Sequence, residues 1–346
     1  MNIGKFKFLN NRVFIIAELS ANHNGSLENA LETIKAAKRA GADCIKLQTY
    51  TPDTLTIDSN KPDFIIKSGS IWDGINYYEL YKKAHTPWEW HPALFKEAEK
   101  QGLVCFSSPF DKTAVDFLET LNVPAYKIAS FEITDIPLIE YVASKGKPII
   151  ISTGIANIED IELAINACKR KGNNNIALLK CTSSYPAPID EANMVMLSDL
   201  AKRFNVIVGL SDHTMGSTVP IVATALGAKI IEKHFIIDRS IGGPDASFSM
   251  NEKEFTEMVK SIRQAESALG KIDYNLTNKQ LKGRDFSRSI YVVADIKKGE
   301  IISTKNIRSI RPGFSEHPKN FEKMIGMKSN NIYEKGDRIF IKDLII

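Results

Sequence analysis

The sequence predicts an α/β fold, a closed barrel of eight β/α units followed by a small second module, on three observations. Eight short apolar runs recur: VFIIAELS at 13–20, CIKLQTY at 44–50, LVCFSSP at 103–109, AYKIAS at 125–130, PIIIST at 148–153, IALLKCT at 176–182, VIVGLSD at 206–212 and AKIIEKHF at 228–235. Between them lie stretches of helical periodicity, as at 27–40, where Leu27, Ala30, Leu31, Ile34, Ala37 and Lys38 fall on the helical repeat. Gly41, Gly102, Gly146, Gly172 and Gly227 each stand where such a helix would end before the next strand. Continuous apolar strands alternating with helices imply a parallel sheet covered by helices. Eight such units in about 235 residues is the count of a (β/α)8 TIM barrel. The competing open, doubly wound sheet lacks its sign, since no GxGxxG follows the first run.

The remaining elements follow in order. The segment 52–86, with Trp72, Tyr77, Tyr78 and Tyr81, is a long excursion after the second strand, placed to build one side of an active-site face. After a helix around 252–269 comes a polar linker at 271–283. The module at 284–346 contains an echo: Lys298-Gly299-Glu300 then Asn306-Ile307, and Lys335-Gly336-Asp337 then Asp343-Leu344. Such an echo suggests a duplicated unit.

Composition narrows the function classes. With 43% hydrophobic and 25% charged residues, the 346-residue chain is ordinary globular protein, not disordered or fibrous. Lys plus Arg is 45 against 41 Asp plus Glu, a net +4 spread along the chain, too mild for a nucleic-acid partner. Cys44, Cys105, Cys168 and Cys181 are scattered without CxxC spacing, which fits buried thiols in a reducing compartment and argues against disulfides or a zinc cluster. The opening MNIGKFKFLNNR lacks the apolar core of a signal peptide, and no run is apolar enough to span a membrane. A cytoplasmic protein without a membrane partner is the expectation.

Catalytic groups of such barrels come from the C-terminal ends of several strands. Polar residues gather there. Glu18 ends the first run, Lys46 and Gln48 lie in the second, Ser107 and Ser108 end the third, and Lys127 and Ser130 end the fourth. Thr182 and Ser183 close the sixth, Ser211, Asp212 and His213 the seventh, and Glu232 and His234 the eighth. Each charge taken singly could be half of a structural ion pair; an ionised group inside an apolar run is costly to bury unless paired or bound. Polar ends on seven strands of eight argue for a site.

His213 and His234, on adjacent strands, could converge on one metal ion, with water and Asp245 or Glu18 completing a Lewis-acid site with open positions. Lys46 and Lys127, with Ser108, Ser130, Ser183 and Ser211, form a set of cation and hydroxyl donors suited to a phosphate dianion. Some of these hydroxyls could instead cap the following helices, and for Ser108 both roles are open. His23, His85, His91 and His317 read as loop histidines, hydrogen-bonded or solvated, with His23 placed to line the barrel mouth.

AELSANHNG, IKLQTY, FSSPF, YKIAS, LLKCTSSYP, GLSDHT, EKHF and GGPDASFS together resemble the sialic acid synthase family through the barrel. SRSIYVVADIKKGEIIS to the RPG at 311–313 resembles that family's C-terminal antifreeze-like (SAF) domain. Within the family, LYKKAHTPWEWHPALF and IRSIRPGFSEHP look most like pseudaminic acid synthases. The resemblance implies condensation of phosphoenolpyruvate with an open-chain N-acetylated amino sugar, here 2,4-diacetamido-2,4,6-trideoxy-L-altrose. It implies a divalent metal, manganese with magnesium or cobalt as alternatives, on His213 and His234. It places phosphoenolpyruvate on Lys46, Ser108, Lys127, Ser130, Ser183 and Ser211, with Ser183 departing from the usual Asn. Glu18, Glu232 and Gln48 match catalytic positions, and Tyr185 and Asp245 match sugar-binding ones. Arg311 matches an arginine that one subunit's tail presents to the sugar in its partner's barrel, which implies a domain-swapped homodimer.

Rival readings are synthesis of N-acetylneuraminic or legionaminic acid by the same chemistry, a Schiff-base aldolase using Lys127, and an ice- or glycan-binding tail on a scaffold barrel.

Overall fold

The structure, a computed structural model, describes residues 1–8 and 12–346; Leu9, Asn10 and Asn11, in the opening stretch read above for a signal peptide, lie outside the described residues. The chain divides into two compact units, Met1–Gly270 and Lys271–Ile346. The first is a closed barrel of eight parallel strands: β1 Phe14–Glu18, β2 Cys44–Thr49, β3 Val104–Pro109, β4 Tyr126–Ile128, β5 Ile149–Ser152, β6 Ile176–Cys181, β7 Ile207–Asp212 and β8 Ile230–His234. Strands pair in sequence order and β8 closes onto β1. Every apolar run became a barrel strand.

Alternation of side chains along each strand sorts the barrel into two cores. Inside, Phe14, Ile16, Cys44, Phe106, Ala125, Ile150, Ala177, Leu179 and Ile230 fill the lower half. Outside, Ile15, Ala17, Ile45, Leu47, Ile151, Leu178 and Leu210 pack against helices such as α1, Leu27–Arg39, through its buried Ala30, Ile34 and Ala37. Ser26 caps α1 by accepting from the Asn29 N–H, and Gly41 then turns the chain at φ +89°, with Val259 against the place a Cβ would occupy.

A two-strand hairpin, Asn2–Ile3 with Phe6–Lys7, joins the interior cluster from the N-terminal side of the chain. Phe6 and Phe8 pack on Phe14 with ring centroids 4.6 and 5.9 Å away. Nothing in the sequence reading anticipated this plug, because two-residue strands carry too little periodicity to register. The excursion after β2 contains helices Pro52–Leu55 and Tyr77–Ala84. No described helix is long and apolar enough to cross a membrane, and all four cysteines are free and buried.

Several expected positions shift. Ser107 and Asp212 face away from the interior: the Ser107 hydroxyl meets that of Thr49 at 2.6 Å, and Asp212 pairs with Lys233 at 2.6 Å. Both follow from alternation, since their neighbours Ser108 and Ser211 point inward. β4 stops at Ile128, so Ser130 opens a 3-10 turn, Ser130–Glu132, rather than ending a strand. His91 is the first residue of a helix, His91–Lys100, and is buried, with Nε2 2.8 Å from Thr49 Oγ1. His23 is fully buried too: its Nδ1 accepts from the Gly25 N–H, and its Nε2 lies 3.2 Å from Thr86 Oγ1.

In the second unit, a helix Asn278–Gly283 lies within the segment read as linker. The echo has a structural expression. The Glu300 carboxylate accepts from the Lys297 N–H at 2.9 Å, and Asp337 accepts from the Glu334 N–H at 2.7 Å, one motif in each half. The halves interlock: Ile296 and Tyr333 exchange backbone hydrogen bonds at 2.8 and 2.9 Å over a core of Ile290, Val292, Ile302, Ile307, Met324 and Ile339.

Gly209 on β7 has no room for a side chain: a Cβ there would lie 2.4 Å from the Ile230 carbonyl oxygen and 2.7 Å from Leu179 Cδ2. Gly209→Ala is expected to lower stability by about 1–3 kcal/mol through overpacking, read from the midpoint of urea unfolding at unchanged m-value.

Candidate active site

Above the apolar half of the barrel, the inward positions become charged. β1 pairs with β2 so that Glu18 stands beside Lys46, and β8 pairs with β7 so that Glu232 stands beside Ser211. The Lys46 ammonium lies 2.6 Å from Glu18 Oε2 and 3.1 Å from Glu232 Oε2. Lys127 Nζ is 3.6 Å from Glu232 Oε1 and donates to the Ile128 carbonyl at 3.2 Å. Ser211 Oγ donates to Glu232 Oε1 at 2.9 Å. All four charged groups are buried.

Burial pushes the Lys46 ammonium down to about 7 against the pull of Glu232. Burial alone would raise the Glu232 carboxyl; Lys127 and Lys46 outweigh it and hold that group down to about 2. The quartet therefore keeps Glu232 ionised while leaving Lys46 responsive to any incoming anion.

Hydroxyls border this quartet. The Ser183 and Ser130 oxygens are 2.8 Å apart, and Ser130 Oγ accepts from the Ile155 N–H at 3.1 Å. A Cβ on Gly154 would lie 2.1 Å from Ser183 Oγ and 2.7 Å from Ser130 Oγ, so only glycine leaves those two hydroxyls in place. The buried Ser108 and Ser152 hydroxyls have no hydrogen-bond partner among the described residues. Ser108 is not a helix cap: Asp111 caps the next helix, accepting from the Thr113 and Ala114 N–H groups. Ser152 supplies the polar end of β5 that the sequence reading did not find.

On the other side stand two imidazoles, His213 just after β7 and His234 ending β8, with ring centroids 5.3 Å apart. His213 Nδ1 donates to the Thr182 carbonyl at 2.9 Å, an oxygen that can only accept; burial works against the charged ring, but Cys181 and the Thr182 carbonyl outweigh it and hold the imidazolium above the usual histidine range. Burial, then His213 and Lys46, push the His234 imidazolium far down, so that ring is neutral near pH 7, and its buried Nδ1 has no hydrogen-bond partner among the described residues. An orphaned nitrogen beside an imidazole anchored through a carbonyl fits two ligands of a divalent ion. Asp245 Oδ2 is 4.0 Å from His234 Nδ1, and no set of three or more His, Cys, Asp or Glu side chains gathers at metal-binding geometry among the described residues.

Tyr185 lies over His213 at 4.3 Å between centroids and against Phe248 at 5.1 Å, and Trp72 of the excursion packs on Tyr185 at 5.6 Å. Trp72 Nε1 donates to the Pro244 carbonyl at 3.2 Å, tying the excursion to the loop after β8. Gln48 and Asp245 meet in a hydrogen-bond network through Ser20. Glu132 has one buried oxygen without a partner, and burial raises its carboxyl to about 7. Phe248, Glu132 and Ser20 were not singled out as site residues, whereas Trp72 belongs to the excursion read as one side of the active-site face; Phe248 and Ser20 are set apart by burial, and burial of a residue outside the strands is not legible in one sequence. Arg311 lies in the second unit, exposed, directly after the strand Ile307–Ile310.

Removing the charge of Glu232 leaves two buried ammonium groups poorly compensated. Glu232→Gln is expected to cost about 3–5 kcal/mol of stability in the substrate-free protein, with added inorganic phosphate restoring part of it in the same denaturant titration.

Comparison with known proteins agrees with this architecture. The NeuB family profile matches residues 33–274, and the SAF domain profile matches 287–345. The chain is 51% identical over 339 residues to the pseudaminic acid synthase of Campylobacter jejuni serotype O:23/36, covering 98% of both. It is 48% identical to that of Helicobacter pylori, covering 95% of this chain and 97% of the relative. The crystal structure of the spore coat polysaccharide biosynthesis protein SpsE of Bacillus subtilis superposes with a TM-score of 0.65 at 34% identity, covering 97% and 96% of the two chains. With its barrel, its SAF module and its similarity over nearly the whole length, the chain belongs to the NeuB family.

Proposed function

We propose that this chain condenses phosphoenolpyruvate with 2,4-diacetamido-2,4,6-trideoxy-L-altrose in its open-chain form, giving pseudaminic acid and inorganic phosphate. The observation that carries the reaction class is the placement, in one barrel mouth, of two buried ammonium groups with unpartnered hydroxyls beside two imidazoles. The choice of sugar rests on the similarity to the Campylobacter and Helicobacter synthases and on the aromatic wall of Tyr185, Phe248 and Trp72, which suits a 6-deoxy carbon.

Lys46 and Lys127 neutralise the phosphate and carboxylate of phosphoenolpyruvate, and Ser108, Ser130, Ser183 and Ser211 donate to its remaining oxygens. His213 and His234 hold a divalent cation, manganese or alternatively magnesium or cobalt, which when bound supplies Lewis acidity toward the sugar's aldehyde oxygen. Gln48, Asp245 and Tyr185 orient the sugar so that its C1 meets C3 of the enol. The C3–C1 bond forms with the enol electrons, the aldehyde oxygen takes up negative charge and then a proton, and C2 becomes an oxocarbenium. Water adds to C2 and gives its proton to a carboxylate, which passes it on to the sugar alkoxide; the C2 hydroxyl of the hemiketal phosphate then gives its proton to the departing phosphate as the C–O bond breaks, leaving the keto acid and phosphate. Glu18, 2.6 Å from the Lys46 ammonium, and Glu232, 3.1 Å from it, are the two carboxylates placed to take the proton of the water. Arg311 is assigned to the sugar in the partner's barrel of a homodimer, in keeping with the family resemblance.

The test is phosphate release from phosphoenolpyruvate with each candidate sugar. Turnover is expected with the 6-deoxy diacetamido sugar above N-acetylmannosamine, lost in EDTA and restored by manganese, reduced in Arg311→Ala, and without any borohydride-trapped adduct. Chelator-resistant turnover with a trapped adduct on Lys127 would establish the aldolase instead.

Lys46 gives a second test. With its ammonium at about 7 it is mostly neutral at about pH 8; a bound dianion raises that value, so binding takes up as much as one proton there, and the uptake fades as pH falls through 7. Calorimetry of phosphoenolpyruvate binding in buffers of different ionisation enthalpy reads it. No buffer dependence at about pH 8 would count against Lys46 as the phosphate cation.

A further inference from the structure

We propose that Ser20 is a positioning residue that sets the sugar-side groups Gln48 and Asp245 in register with Glu18, a proposal that rests on the reaction given above. Ser20 has φ +47°, in the left-handed region that a residue with a Cβ occupies only at a cost. It is buried, and its hydroxyl and N–H both bond to site residues. Its hydroxyl donates to Asp245 Oδ2 at 2.5 Å and accepts from Gln48 Nε2 at 3.0 Å, and its N–H donates to Glu18 Oε1 at 3.1 Å. The next N–H, of Ala21, reaches the same Asp245 oxygen at 3.3 Å. One residue in a strained conformation thereby joins the ends of β1 and β2 to the loop after β8.

The hydroxyl is the specific part of this device. The backbone of the Asp245 loop is anchored separately, because Asn22 Nδ2 donates to the Phe235 carbonyl at 3.0 Å and to Ser249 Oγ at 2.8 Å, and Ser249 Oγ donates to the Asp245 carbonyl at 2.6 Å. Without the Ser20 hydroxyl the loop keeps its course, while the Asp245 carboxylate loses a donor and Gln48 loses the acceptor that fixes its amide. Of the hydrogen bonds to the Asp245 carboxylate among the described residues, the long one from the Ala21 N–H then remains. Among the described residues the Ser20 hydroxyl bonds to Asp245 and Gln48 and to none of Lys46, Ser108, Lys127, Ser130, Ser183 and Ser211 on the phosphate side.

Ser20→Gly separates position from fold, since glycine adopts positive φ freely. It is expected to melt at or above the temperature of Ser20→Ala, which loses the hydroxyl and keeps the strain. Both variants are expected to lose about tenfold or more in kcat/KM for the sugar with KM for phosphoenolpyruvate unchanged, the range for a group that orients a reactant. Wild-type kinetics for the sugar in Ser20→Gly, or equal loss toward both substrates, would overturn the proposal. A second readout needs no substrate: in a melting-temperature cycle, Ser20→Gly and Asp245→Ala are expected to be non-additive, and additivity would overturn the proposed coupling. If the wild-type protein does not condense the two substrates, the reaction is wrong, and this cycle alone decides whether Ser20 holds Asp245.

Discussion

Two lysines and two glutamates buried together inside a closed barrel are the constraint on which the site depends. Isolated, any one of them would be expelled or neutralised, because desolvating a charge in an apolar interior costs several kcal/mol even after relaxation. Lys46 between Glu18 and Glu232, with Lys127 on the far side of Glu232, cancels net charge without saturating it. The lysines still lack the full complement of acceptors that water would give them. An anion bearing several oxygens can provide that complement, so the free protein already holds the electrostatic pattern of its ligand.

Such an arrangement needs a rigid container. The lower barrel provides it through Phe14, Phe106, Leu179 and Ile230, close-packed to the point that Gly209 can bear no side chain. Register converts that rigidity into placement: Glu18 lies level with both Lys46 and His234, and Ser211 with both Cys181 and Glu232, because parallel strands fix neighbours residue by residue. A slip of one residue would send Lys46 and Glu232 to the helical layer and bring Leu47 and Lys233 inward. Lys233 shows what that outer layer does with a charge: it is paired with Asp212 at 2.6 Å and turned away from the mouth.

What was legible in the sequence follows the same physics. Strands buried on both faces write continuous apolar runs, and a polar residue interrupting such a run, as Lys46, Lys127 or Glu232 does, is conspicuous against them. Alternation was the signal that should have separated Ser107 from Ser108 and Asp212 from Ser211, and it does so once the inward phase of each strand is known. Ser152 and Gly154 were missed because a serine and a glycine ending PIIISTG look like ordinary strand termination; the part of Gly154 depends on Ser130 and Ser183, which follow the strands on either side of β5, a proximity that no local pattern records. Phe248 was hidden for the same reason, being distant in sequence from Trp72 and Tyr185, whose rings it meets at 6.4 and 5.1 Å.

The two sides of the cleft are organised by different forces. Toward β2 and β4 the groups are charges and hydroxyls whose partners are incomplete, so geometry there is completed by a ligand. Toward β8 and its loop, the His234 Nδ1 aside, they are rings and hydrogen bonds with partners in place: Tyr185 against His213, Trp72 on Pro244, Gln48 and Asp245 on Ser20. The first side can accept any small dianion with suitable oxygens, because point charges discriminate weakly by shape. Discrimination between sugars must therefore come from the second side, where a misplaced hydroxyl meets an aromatic face or leaves a buried carboxylate unpaired, and such mismatches cost far more than a missing methyl group gains. Divergence in substrate within this fold is thus expected to be concentrated in the excursion after β2 and the loop after β8, while the quartet beneath them stays as it is.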